Sequence, residues 1–216
     1  MNKMLEKYMM PYLRALATPL LEMQETLDEE YKVLKKICKE QNVVDLGCGV
    51  GRPAHKLEKI CRRIWLVDND QAMVDICKER FKESRNISVS CTNAIQTPFL
   101  DNEFSVSLAT YNFIGCLDEP KKLVPEMKRI TKANGLVFLS SWNTGIEATM
   151  LLKKYYPSIG IKIERIDSRG TKTDHGYIRR HPVHYLESQL KENKLEVVES
   201  GQLGKMWNYA IGKVIE

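Results

Sequence analysis

Three glycines, one acid and an arginine stand close together between Val43 and Leu57, in the stretch VVDLGCGVGRPAHKL. A short apolar run ends at Gly47, and Pro53 stands where the first turn of a helix tolerates proline. Glycines at such a strand-to-helix junction let the backbone approach a ligand closely, and the helix beyond presents free N–H groups. The chemistry implied is the holding of a nucleotide-like cofactor. A dinucleotide fingerprint, G-x-G-x-x-G, would need a third glycine for close helix–strand packing. Here Gly47 and Gly49 fit, but Arg52 occupies the third position and Gly51 falls one place early. A phosphate loop of the G-x-x-x-x-G-K-[ST] type fails as well, since no Gly-Lys-Ser/Thr follows. An acid within the first strand, Asp45, and another at the end of the next, Asp68, complete the pattern. A carboxylate accepts two hydrogen bonds at once, so Asp68 can hold both hydroxyls of a ribose.

Other reactive side chains are scattered. His175 and His181 are the histidines offered as general bases, because their reference pKa lies near neutrality; a surface or helix-starting role is the plainer reading of each. His55 and His184 read as structural. Tyr111 and Asn112 follow the fourth apolar run, and Trp142 ends the fifth, where core packing is the expectation. The six cysteines include no C-x-x-C pair, several sit inside apolar runs, and no metal site is expected.

These residues need a frame, and the apolar periodicity supplies one. Residues 12–39 repeat at helical spacing with a break near Pro19, so two helices are expected ahead of the core. From NVVDLG onward, short apolar runs (RIWLVD, NISVSCTNA, FSVSLATYN, GLVFLSSW) alternate with helical stretches, the last of them, PKKLVPEMKRITKANG, read as ending at a glycine cap. Such alternation implies right-handed crossovers and a doubly wound α/β fold around a parallel sheet. After Trp142 the pattern loosens. It reads as a helix near 145–155, a hairpin or long loop around Gly170, a helix over 182–193, and two late strands, LEVVES and MWNYAIGKVI. One domain of 216 residues is expected. Its parts are an N-terminal helical cap (1–40), a cofactor-binding core (41–142), an insertion over the acceptor side (143–186), and a closing helix and strands (187–216).

The net charge is +5, and residues 151–181 hold eight basic against three acidic side chains, a surplus equal to the whole excess. An anionic partner there is one reading and a solvated face the plainer one. No apolar run is long enough for a membrane span, and the first thirty residues mix charges throughout, so a cytoplasmic location is expected.

The order Asp45, Gly47-x-Gly49-x-Gly51, then Asp68, resembles the opening motifs of class I S-adenosylmethionine-dependent methyltransferases of the small-molecule type. The likeness runs over about residues 40–142, through CTNAIQTPFLDNEFSVSLATYNF to the fifth strand. It implies a Rossmann-like, seven-stranded, mostly parallel sheet with an antiparallel last strand, and S-adenosylmethionine as cofactor. Asp45, Gly47, Cys48 and Gly49 would face the amino-acid part of that cofactor and Asp68 with Asn69 the ribose. Asn93 and Ala94 would meet the adenine, with Thr110 and Tyr12 completing the set. Tyr8 and Tyr12 also read as half-buried packing. The sequence departs from the family at Asn93, Ser105 and Ala133-Asn134-Gly135, where Asp, Asp and Pro-Gly-Gly are usual. The implied activity is methyl transfer to a small-molecule acceptor, which the basic insertion suggests is anionic or carboxylate-bearing; RNA is the alternative through the basic segment, and a non-catalytic cofactor-binding regulator is the third reading. Tyr111, Asn112, His175 and His181 are the residues expected on the acceptor side.

Overall fold

The computed structural model describes residues 21–215. The first expected helix, with Tyr8 and Tyr12, lies outside the described residues.

Seven strands form one sheet in the order β3–β2–β1–β4–β5–β10–β9. They are β1 (Asn42–Leu46), β2 (Arg63–Asp68), β3 (Ile87–Cys91), β4 (Phe104–Ala109), β5 (Thr131–Trp142), β9 (Leu195–Leu203) and β10 (Trp207–Val214). The pairs from β3 across to β5 are parallel, while β10 runs antiparallel to both β5 and β9. This is the sheet the sequence implies. Its central strands are almost continuously buried, as a sheet covered on both faces requires: Val43, Val44, Leu46, Leu66, Val67, Leu108 and Phe138 are all fully enclosed. Against one face pack α1 (Leu21–Cys38), the single turn α2 (Ala54–Leu57), α3 (Gln71–Arg80) and α6 (Ile146–Ser158). Against the other pack α5 (Leu123–Ile130) and α7 (Val183–Glu192), while the short α4 (Phe113–Cys116) follows β4. The chain leaves β1 for β2 on one side and reaches β4 on the other. Between β1 and β4 the winding therefore reverses, which opens a crevice at the carboxyl ends of the strands.

One element differs from expectation and another goes beyond it. The helix before β5 ends at Ile130, not at a glycine cap; Thr131 already pairs with Phe104. Its hydroxyl donates to the Met127 carbonyl at 2.6 Å and meets the Ser107 hydroxyl at 2.6 Å, so the buried helix end is satisfied from within the strand. Gly135 lies inside β5 because a Cβ there would sit 2.8 Å from the carbonyls of Lys132 and Ser105, closer than backbone permits. The segment around Gly170 is a hairpin of β6 (Ile163–Ile166) and β7 (Gly170–Thr173), extended by a third antiparallel strand, β8 (Gly176–Arg179). Gly170 is a strand residue there, covered by the Tyr177 ring.

The insertion is fastened by Arg180, which is buried. Its guanidinium donates to the carbonyls of Asn143 (3.0 Å) and Asp167 (2.8 Å) and to the Thr149 hydroxyl (2.8 Å), joining the end of β5, the β6–β7 turn and α6. No helix among the described residues is long and apolar enough to cross a membrane.

Candidate cofactor site

A cavity of about 350 Å³ lies in the crevice, over the ends of β3, β2, β1 and β4. The loop after β1 forms its floor. Gly47, Gly49 and Gly51 all take positive φ (69°, 51° and 71°), a conformation that L side chains adopt with strain. Gly47 is further pinned by the Phe113 ring, which fills the space a Cβ would need. At Gly49, by contrast, a Cβ would meet no atom within 4 Å; this glycine faces the open cavity and leaves room for a ligand to rest on the backbone.

Asp68 stands at the mouth of this loop, and both its oxygens are oriented by backbone. Oδ2 accepts from the Gly49 amide at 2.8 Å and Oδ1 from the Asp70 amide at 3.0 Å. Burial raises its pKa, and these two donors partly offset the rise. The helix cap that Asp68 would otherwise provide is supplied by Asp70, whose Oδ1 accepts from the Ala72 amide at 2.8 Å. Each oxygen of Asp68 keeps a further lone pair for a ligand. Asn69 and Cys48 line the same wall. Over β3, Ala94 and Asn93 line the far end, and the Asn93 side-chain oxygen accepts from the Ile95 amide at 3.1 Å, an Asx turn that fixes the loop. At the opposite end lie Thr110, Tyr111, Phe113, Leu27 and Arg52.

Asp45 lies one layer deeper. It is 1% exposed, does not line the cavity, and neither carboxylate oxygen has a hydrogen-bond partner among the described residues. Burial pushes its pKa up to about 8, against the pull of Arg52 and with the added repulsion of Glu30 and Asp68. An orphaned acid below the floor and an open glycine above it fit a ligand that brings positive charge to this end.

The four residues expected on the acceptor side separate. Tyr111 lines the cavity, with φ of 54°; its amide donates to the Ser140 hydroxyl at 3.0 Å and its own hydroxyl meets that of Tyr155. Asn112 does not line it. Fully buried, its Nδ2 donates to the Arg179 carbonyl at 3.1 Å, and its Oδ1 accepts from the Ser141 hydroxyl (2.5 Å) and the Trp142 amide (3.0 Å). It ties β4, β5 and β8 together, which is an architectural duty. His181 is buried beside Tyr185, ring centroids 4.1 Å apart, and burial with the nearby Arg179 lowers its pKa to about 4. His175 sits at the β7–β8 turn, 3.7 Å from Asp174. Neither histidine lines the cavity, contrary to their expected place on its acceptor side. Trp142 is core, packed edge-on to Tyr111, as expected.

Residues 44–139 match the family model described as a methyltransferase domain. Over those residues the chain carries a methyltransferase domain. The methyltransferase is 26% identical over 148 residues to a tRNA (carboxymethyluridine(34)-5-O)-methyltransferase of Arabidopsis thaliana, covering 68% of this chain and 35% of that one. It is 21% identical over 118 residues to a ubiquinone biosynthesis O-methyltransferase of Actinobacillus pleuropneumoniae, covering 52% of this chain and 50% of the other. It thus spans between a third and a half of the length of these curated relatives. In fold it is similar to a SAM-dependent methyltransferase from Aquifex aeolicus, with a TM-score of 0.71 at 19% identity over 95% of this chain and 98% of that one.

Sequence reading passed over Arg52, Phe113 and Leu27 as site residues. Arg52 was visible as the residue standing in the third glycine's place; Leu27 and Phe113 carry no local signal, because only the folded chain brings them to the cavity.

Proposed function

We propose that this methyltransferase transfers a methyl group to a small-molecule acceptor, and that it does so by positioning. Bound S-adenosylmethionine supplies an activated methyl on its sulfonium. The chain's part is to hold it: Asp68 takes the ribose hydroxyls, Asn93 and Ala94 border the adenine, and the open backbone at Gly49 receives the amino-acid portion. The observation that carries the reading is Asp68, aimed into the cavity by two backbone amides while Asp70 does the capping.

No histidine lines the cavity, and the Tyr111 and Tyr155 hydroxyls are bonded to each other and pushed by burial toward their neutral forms. The described residues therefore offer binding, alignment and exclusion of water more than proton abstraction. This favours an acceptor that is already nucleophilic or that loses its proton to solvent.

An RNA acceptor is the second reading, and similarity to a tRNA methyltransferase favours it. Against it, Tyr177 is the one large aromatic side chain exposed among the described residues, although Lys153, Lys154, Lys162, Arg165, Arg169 and Lys172 face solvent. Arg180 is buried against carbonyls, Arg179 donates to the Leu117 carbonyl at 2.7 Å, and Lys172 faces Glu164 at 3.4 Å. A nucleic-acid platform needs such cations free and interleaved with exposed aromatics.

Calorimetry with S-adenosylhomocysteine tests the site: binding is expected, with a loss of about tenfold or more in Asp68→Ala, and unchanged affinity would overturn the role of Asp68. Retention on a tRNA column that falls steeply with salt would favour RNA; turnover on small amines, phenols or carboxylates without such retention favours the first reading.

A further inference from the structure

Arg52 is the one cationic side chain lining the cavity among the described residues. Its placement is elaborate. One N–H donates to the Glu30 carboxylate at 2.7 Å, and Glu30 is itself completely buried on α1. The other Glu30 oxygen accepts from the Ser140 hydroxyl at 3.2 Å, and that hydroxyl accepts in turn from the Tyr111 amide at 3.0 Å. The guanidinium lies over the Tyr111 ring at 4.9 Å and the Trp207 ring at 5.4 Å. Carboxylate, hydroxyl and two rings therefore fix the fork in one orientation, at the end of the cavity away from Asn93.

A guanidinium has five N–H donors in a rigid fork. Glu30 takes one, and no other acceptor for Arg52 occurs among the described residues. The sheet order shows which ligand atoms arrive there. With adenine over β3 and ribose at Asp68 over β2, the ligand crosses the glycine loop of β1 and presents its amino-acid end toward β4, where Arg52 stands. That end bears the cofactor's single negative group.

Resting on the cofactor assignment above, we infer that Arg52 is the binding residue for the carboxylate of S-adenosylmethionine and that Glu30 is a positioning residue for it. The arginine in place of a third glycine then has a purpose. A glycine there would serve a pyrophosphate crowding the helix start; the arginine serves a carboxylate lying beyond it. The pair also divides the charges of the amino-acid end, since Arg52 meets the carboxylate while Asp45 supplies negative potential beneath the ammonium and sulfonium.

The probes are S-adenosylmethionine and its decarboxylated form, which keeps the sulfonium and the amine and lacks only the carboxylate. Affinities are measured by calorimetry for wild type, Arg52→Met and Arg52→Met/Glu30→Gln. The double variant matters because Arg52→Met alone strands Glu30 as a buried, unpaired acid. Wild type should prefer S-adenosylmethionine by about 10- to 100-fold, the scale of a charge-assisted contact. Both variants should lose that preference while binding the decarboxylated probe within about twofold of wild type. A variant that keeps the wild-type preference, or weakens both ligands equally, overturns the assignment of Arg52. Wild type binding neither probe would instead remove the cofactor reading on which the inference stands.

Discussion

The buried carboxyl of Asp45 makes the strongest physical demand in the structure, and replacing it with asparagine isolates that demand. The side chain is enclosed, unpartnered and pushed up to about 8, whereas in the unfolded chain it titrates near 3.8. Between those values the native state keeps a proton that the unfolded state has released. An acid shifted upward therefore adds stability that is complete below pH 4 and is lost as the pH climbs toward 8. Each unit in that window removes a little over 1 kcal/mol, so from pH 5.5 to 7.5 the loss is about 3 kcal/mol. For a chain of 216 residues this is roughly 5 to 10 °C in Tm. Asp45→Asn keeps the shape and abolishes the titration. Thermal melts of both proteins at pH 5.5, 6.5 and 7.5 should diverge by that amount, the variant being the less sensitive to alkali. Parallel curves would refute the reasoning, because they would mean that Asp45 finds a partner or water in solution. Cofactor binding adds a second reading of the same group. Positive charge above the floor should expel the proton, so calorimetry at pH 7 in buffers of differing ionisation enthalpy should show proton release that vanishes in Asp45→Asn.

Two further outcomes follow from packing. Gly47→Ala combines positive φ with the Phe113 ring, and should cost about 2 kcal/mol or more in urea unfolding; Phe113→Ala in the same background should recover part of it, and strict additivity of the two changes would contradict the contact. Arg180→Met strands the carbonyls of Asn143 and Asp167, and should cost about 3 kcal/mol while speeding hydrogen exchange across residues 163–179. Unchanged exchange there would show that the insertion is held by something else.

How much of this was legible in the sequence depended on range. The alternation that gave β1 to β5 is local, written in apolar runs of five or six residues and in punctuation such as Gly47 and Pro53, and it placed Asp68 and the glycine loop correctly. The helix-to-β5 boundary failed because Thr131 reads as ordinary helix; only its bonds to Met127 and Ser107 make it a strand residue. In the insertion the hairpin around Gly170 was legible but its third strand was not: β6, β7 and β8 have four residues each, too few for a period to show. Asn112 stands next to a cavity residue, but its side chain is held in the core by Ser141, the Trp142 amide and the Arg179 carbonyl, contacts that only the folded chain supplies. His181 was assigned on its reference pKa, which burial cancels. Arg52 illustrates the opposite failure. It was noticed as a broken pattern, while its meaning came from Glu30, 22 positions earlier, and from Trp207, 155 positions later.

That last distance has a bearing on synthesis. Strand β10 does not add to the rim of the sheet; it slots between β5 and β9, and its first residue, Trp207, becomes the shelf on which Tyr111 and Arg52 rest. A chain emerging from the ribosome can wind β1 through β5 early, yet Tyr111 and Arg52 in the cavity lining lack this support until residue 207 is in place. The proposed carboxylate grip of Arg52 would therefore be a late acquisition, and a prematurely terminated product would possess the glycine loop without the shelf beneath that arginine.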